Sequence, residues 1–499
     1  MNLQHLITES ELESHIKLFD FPTQEAEKEC LRHLQSRWTT SRAELERRAA
    51  DVLTLSQNSR LLKAASSLKE TKHFEQILLN HTSSETSETA EEQIFFSGAA
   101  TKPLNHIPFL VTLFVFLKVY IAPGLALLMP LVLAVMPYFI MTTMMNTSIP
   151  WDTYVQMMKQ MAFGIQSGEP WRLKHIAQIG WFFVSLGQGM IQPFFTAYHT
   201  SKLDTKICER GEAIIQIAST TKTILEDWRA NGAAKGWTLQ VPTVPQSPRE
   251  AVAWMEAEPL GWLAVKRSFG YIGMMATFAS NPAWRPVQWS SRGLTFKDLC
   301  DIAVIKKGAA LSTLALENHC MVTGPNRGGK SSALRAVLQQ VLLGQTFGLT
   351  YGATGSWRPF QLIFSRLKSK DSAGKESLFE MEVRMAANML KLTKSTEKHS
   401  LVLIDELFHS TNPPDAEISA KLFLQQLWDL PNVKSMISTH IFSLCEMPQK
   451  PQMLCVPAEE LAEGQIQYSY KLAPGICRVS SVREVLKEHG LTSALKHHL

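Results

Sequence analysis

The rhythm of hydrophobic positions changes as the chain proceeds. From about residue 8 to 80 it is helical: Leu45, Ala49, Val52, Leu53 and Leu55 share a face, and Leu61, Leu62, Ala65 and Leu68 continue it past Asn58-Ser59. Thr8-Glu9-Ser10-Glu11 reads as a helix start. Over residues 107–145 the period vanishes, because almost every position is apolar. Lys118 is the only charged residue between Lys102 and Asp152. Two apolar arms, 107–122 and 125–145, flank Pro123-Gly124 and predict a transmembrane helical hairpin, with a buried soluble hairpin as the alternative. A third apolar segment, 176–198, carries Gln178, Gln188, Gln192 and Pro193. It reads as a span, a re-entrant segment or an interfacial helix. Helical periodicity returns over 202–228, stopped by Asn231-Gly232, and again over 248–278. Beyond Trp284-Arg285-Pro286 the pattern shortens. Strand-like pieces surround Leu294-Thr295-Phe296 and Ile302-Ala303-Val304, wholly apolar runs occupy 320–322 and 401–404, and a further strand-like stretch runs over 433–437. Such runs mark buried parallel strands, which bind ligands at their carboxyl ends.

Composition adds boundaries. The Ser/Thr/Glu stretch 81–92 (HTSSETSETAEE) is a solvated linker, and 241–248 (VPTVPQSP) a turn-rich connection. At 499 residues the chain has room for two or more domains. A net charge of +5 argues for neither nucleic acid nor an anionic membrane surface. Seven scattered cysteines without a C-x-x-C pair speak against zinc and for reduced thiols in a cytosol-like compartment. The polar, acidic N-terminus predicts no secretory signal.

Candidate chemistry begins at residues 323–332, TGPNRGGKSS, set between an apolar strand and a helix-like segment. Backbone N–H groups that curl around a phosphate need glycine where a side chain would collide, and the following helix aims its dipole at the same anion. This is the phosphate-loop pattern of ATP sites. Gly324, Pro325, Asn326, Gly328, Gly329, Lys330, Ser331 and Ser332 are the candidate binding residues, with Lys330 neutralising phosphates and the Ser331 hydroxyl on Mg²⁺. Downstream, the strand Leu401-Val402-Leu403-Ile404 ends in Asp405-Glu406. Asp405 suits the metal shell and Glu406 the attacking water. Ser438-Thr439-His440 follows the next strand, where His440 can sense the γ-phosphate. Asp415 lies after Pro413-Pro414 on a loop suited to a subunit interface. The segment 371–383, DSAGKESLFEMEV, joins a polar loop to a helix and can present Ser377 to a phosphate in trans.

Together TGPNRGGKSS, DSAGKESLFEMEV, LVLIDELFHSTNPPD and SMISTH resemble, in order and spacing over 299–491, the ATPase domain of the MutS family of DNA mismatch-repair proteins. The resemblance implies an ABC-type ATPase that dimerises around two composite nucleotide sites and uses ATP and Mg²⁺. It implies a signature role for Ser377, metal and water roles for Asp405 and Glu406, and a switch role for His440. The helical block ending near Trp284-Arg285-Pro286 resembles the end of that family's helical core more weakly, and 45–80 its start. Several positions depart from the family. Arg327 stands in place of methionine, Leu378 in place of threonine, and Phe408-His409-Ser410 in place of a small glycine-containing turn. No Phe-x-Glu wedge occurs in the first hundred residues, and 229–251 offers only a short loop for levers and a clamp. A mismatch-reading domain is therefore expected to be missing.

The expected fold class is a C-terminal α/β ABC-type P-loop ATPase domain preceded by a mostly α-helical region with a transmembrane hairpin. The expected divisions are 1–100 (helical), 101–200 (apolar membrane segments), 201–290 (helical core) and 291–499 (ATPase). Expected partners are a second copy or related ATPase subunit, DNA through the family resemblance, and a membrane through 105–146. The expected location is at a membrane with the ATPase in the cytosol, a soluble cytoplasmic or nuclear protein being the alternative. Three functions compete: a DNA-binding MutS-type homodimer, a membrane-tethered MutS-like ATPase with another task, and a transporter-like assembly. The last is weakest, because so few spans make no pathway.

Overall fold

The computed structural model describes residues 3–82, 94–96, 98, 100–163, 173–232, 243–291, 293–367, 377–449, 451–461 and 465–490. Most of the linker 81–92 and the 371–376 part of the signature loop lie outside them. The chain forms two compact units, the first from Met1–Lys69, Ile224–Thr238 and Arg267–Leu499, the second from Glu70–Thr223 and Leu239–Lys266.

In the first unit a six-stranded sheet runs in the order Ala473–Pro474, Gln452–Cys455, His319–Thr323, Val433–Ser438, Ser400–Ile404, Leu362–Arg366. All neighbours pair in parallel except Ala473–Pro474. The apolar runs fold as buried strands because both sheet faces are covered; every residue of Ser400–Ile404 is buried. A second sheet packs Gln288–Trp289, Thr354–Trp357, Leu294–Leu299 and Ser312–Leu316.

The helix Lys330–Phe347 is the core of this unit. Fourteen of its eighteen residues are buried, so its burial extends around the axis rather than along one face. Three buried glutamines fasten it, since a buried amide must find partners. Gln340 exchanges hydrogen bonds with the Tyr351 backbone at 2.8 and 2.9 Å, and Gln345 with the Phe360 backbone at 2.9 and 2.8 Å. Gln339 donates to Ser10 O and to Asp301 Oδ1, both at 2.9 Å. The N-terminal helices Leu3–Ser10, Gln24–Ser36 and Arg42–Gln57 thus pack on the same helix.

Two local expectations are corrected here. Residues Thr8 to Ser10 close a helix rather than start one, and the break falls at Glu11, which is left-handed at φ 57°. Ile302-Ala303-Val304 belongs to a short helix, Ile302–Ile305, because the Asp301 carboxylate caps the Ala303 N–H at 3.0 Å.

In the second unit the predicted hairpin is replaced by one unbroken helix, Pro108–Met144. Pro123-Gly124 makes no turn. Leu117–Ile121 forms a wider π-type turn in which the Ala122 N–H reaches Leu117 O. Pro123 therefore sits in the first turn of the next segment, where no N–H is required. The chain reverses instead over 146–150, and Trp151–Phe163 returns along it. Tyr154 Oη donates to Ala134 O at 2.6 Å, and the Tyr138, Trp151 and Tyr154 rings cluster. Among the described residues Pro108–Met144 is the one helix long and apolar enough to cross a membrane. Its 37 residues extend about 55 Å, and side chains such as Phe109 (72%), Leu131 (62%) and Phe139 (57%) are exposed. Residues 176–198 lie within a 58-residue helix, Leu173–Ala230.

Candidate nucleotide site

Parallel pairing brings the chemistry to one end of the sheet, at the carboxyl ends of three inner strands. Val322 pairs with Ser438, and Ile437 with Ile404, so the strands end side by side. From these ends emerge the loop starting at Gly324, the pair Asp405-Glu406, and Thr439-His440.

The loop needs its glycines. Gly324 has φ 143°, and a Cβ there would lie 3.0 Å from Val456 O. Gly329, at φ 103°, occupies the cap position before Lys330–Phe347. Asn326 is exposed, Gly328 is buried, and Ser331 and Ser332 lie in the helix's first turn. Lys330 is 5% exposed, and its Nζ donates to Gly324 O at 2.9 Å and Pro325 O at 3.0 Å, bridging the loop. Burial lowers the Lys330 pKa, and the Glu406 and Asp405 charges oppose that.

Ser438 organises the acidic pair. Its buried hydroxyl donates to Asp405 Oδ1 and accepts the Glu406 N–H at 3.0 Å. The Asp405 N–H is taken by Arg366 O at 2.9 Å. Glu406 and Phe408 both have φ 54°, a left-handed conformation unfavourable for these residues, so the surrounding bonds hold the turn under strain. His440 Nε2 lies 3.4 Å from Glu406 Oε1. That contact holds the Glu406 carboxyl below the usual carboxylate range, against partial burial and with help from Lys330 and His409.

A neighbouring network escaped the sequence reading. His409 Nδ1 lies 3.1 Å from Glu382 Oε1 and 3.2 Å from Glu406 O, and the buried Glu382 also pairs with Arg366. The acidic turn is thereby tied to the helix Leu378–Thr396. The available signal was His409 in the turn after Glu406, where the sequence departs from the family, and Glu382 set among the apolar positions of 378–383. Ser377 caps the helix, accepting the Glu380 N–H at 3.1 Å, and is exposed. Among the described residues it makes no hydrogen bond to the phosphate loop, the acidic pair or His440. Asp415 is also exposed, paired with Asn412 at the start of Pro413–Trp428.

Beside the loop lies a cavity of about 350 Å³, bordered by Val304, Arg327, Gly329, Ser332, Tyr470 and Leu472. The fit to a magnesium nucleotide rests on two observations. The Lys330 ammonium and the N-terminus of the helix Lys330–Phe347 meet at the glycine loop, a cation and a helix dipole suited to a phosphate. Ser331 and Asp405 offer the hard oxygen donors that Mg²⁺ takes.

Residues 320–495 match the family model MutS domain V. The chain is 31% identical over 197 residues to DNA mismatch repair protein MSH1, mitochondrial, of Arabidopsis thaliana, covering 38% of this chain and 17% of that one. It is 32% identical over 180 residues to DNA mismatch repair protein MSH6 of the same plant, covering 34% and 13%. It is 28% identical over 158 residues to DNA mismatch repair protein MutS of Streptococcus equi, covering 31% and 18%. The chain thus spans less than a fifth of the length of each of these relatives.

Proposed function

We propose that this chain, whose residues 320–495 match MutS domain V, is a divergent MutS-family ATPase that binds ATP with Mg²⁺ at the carboxyl end of the central sheet and hydrolyses it. The observation that carries this is the Ser438-held pair Asp405-Glu406 at the carboxyl end of the sheet, where the phosphate loop also leads into Lys330, with His440 against Glu406. The loop N–H groups and Lys330 hold the phosphates. Glu406, whose carboxyl His440 holds below the usual carboxylate range, orients a water and takes its proton. Ser331 and Asp405 would hold Mg²⁺, which neutralises phosphate charge when bound. Ser377, exposed at a helix start, faces the nucleotide of a second subunit in a dimer with composite sites. Lys330→Ala tests the site: ATP binding by the purified chain should be abolished, and parental affinity in this variant would sink the proposal.

A second reading concerns the setting, and the exposed apolar helix Pro108–Met144 favours it. It makes the protein a membrane-tethered ATPase, its nucleotide site in the cytosol, driving a task other than mismatch reading. The role carried in the relatives' names is the competitor, in which the dimer binds DNA. Phosphate contacts would supply most of that affinity, so salt-dependent binding to mismatched and matched duplexes separates the two.

A further inference from the structure

Arg327 is a cation inside the phosphate loop whose partner lies elsewhere in the chain. It is left-handed at φ 64°, and its side chain is half exposed and borders the 350 Å³ cavity. Its Nη1 donates to Glu488 Oε2 at 2.6 Å, at the end of the C-terminal helix Val482–Glu488. That helix also holds the cavity wall. Glu484 accepts the Ile466 N–H at 3.1 Å and the Tyr468 hydroxyl. Tyr468 in turn stacks on Tyr470 at 5.6 Å, and Tyr470 lies against Gly329. One exposed ion pair therefore links the phosphate loop to the element supporting the cavity's aromatic side.

We propose that Arg327 and Glu488 form a nucleotide-responsive latch. This rests on the ATP-site reading above and adds its regulation. An exposed guanidinium–carboxylate pair is a weak tether, whereas a nucleotide polyphosphate is a far more charged anion presented to the same loop. Arg327 exchanges Glu488 for a phosphate when ATP binds, and the C-terminal helix is released from the loop. Arg327 is thus both a phosphate ligand and the reporter that passes occupancy to the helix Val482–Glu488.

The test is titration of the full chain with a fluorescent ATP analogue and with AMP, in Mg²⁺, for the parental protein, Lys330→Ala, Arg327→Met, Glu488→Gln and the swap Arg327→Glu/Glu488→Arg. Glu488→Gln should tighten ATP binding about two- to fivefold by removing a competitor. Arg327→Met should weaken ATP about tenfold and AMP less. The swap restores the ion pair but not the phosphate ligand, so ATP affinity should stay lost. Unchanged affinity in Glu488→Gln, Arg327→Met within twofold of parental, or a rescued swap overturns the latch while leaving the ATP site intact. No ATP binding by the parental chain, or undiminished binding by Lys330→Ala, overturns the underlying reading and the latch with it.

Discussion

Ser438→Ala is the most informative single perturbation of the acidic turn. It deletes one hydroxyl that serves two neighbours, Asp405 Oδ1 and the Glu406 N–H. A hydrogen bond to a charged group contributes about 1.5–3 kcal/mol, and a stranded buried N–H costs about 1–3 kcal/mol. Asp405 and Glu406 are only partly buried, so water repairs some of the damage and a net loss of about 2 kcal/mol is expected. The left-handed conformation of Glu406 itself costs about 1–3 kcal/mol, so losing this bond allows the turn to relax and Glu406 to leave its position. If the loss falls on positioning, ATP turnover drops about 30-fold. ATP affinity should stay within about threefold, because Lys330 and the loop glycines are untouched. Steady-state phosphate release and nucleotide titration measure the two separately. Ser435→Ala is the matched control: Ser435 is equally buried on the same strand, but its hydroxyl pairs with His319 at 2.9 Å, away from the acidic turn. It should destabilise the protein to urea without slowing turnover. Turnover within twofold of parental in Ser438→Ala, or an equal fall in Ser435→Ala, would refute the positioning argument.

Two other outcomes are expected. The Glu406 carboxyl is held below its ordinary range chiefly by His440, so their contact stabilises the fold above the free carboxylate range and is lost as pH falls through the depressed pKa. His440→Ala should therefore move the acid limb of the turnover profile to higher pH, and an unmoved limb would remove His440 from that role. The expressed chain should stay in the membrane pellet after alkaline carbonate extraction. Release into the supernatant would contradict the membrane reading of Pro108–Met144 and return DNA binding to the lead.

The features legible in the sequence are those carried by contiguous residues. A strand, a glycine loop and a helix start occupy one short stretch, the acidic pair directly follows an apolar strand, and His440 lies two residues past the strand Val433–Ser438. Parallel pairing then had to bring them together, as the neighbours Val322–Ser438 and Ile437–Ile404 show. Features depending on distant partners were not legible. The side-chain hydrogen bonds of Gln339 to Ser10 O and of Gln345 to Thr39 O join the phosphate-loop helix to backbone groups far away in the chain, and no local periodicity encodes them. Tyr470, which lines the cavity, comes from a segment with no motif of its own. Pro123-Gly124 was misread because a turn-forming dipeptide loses its effect where a π-type turn has already shifted the hydrogen-bond register. Ile302-Ala303-Val304 was misread because its β-branched residues suggest a strand, while the Asp301 cap decides for a helix.

ATP hydrolysis by the purified chain beside Glu406→Gln tests the central claim most directly, since the substitution keeps the side chain's size and removes its basicity. The account predicts hydrolysis by the parental chain, and in the variant retained ATP binding, turnover reduced at least a hundredfold, and accumulation of an ATP-bound dimer. Parental-rate hydrolysis in Glu406→Gln would contradict it.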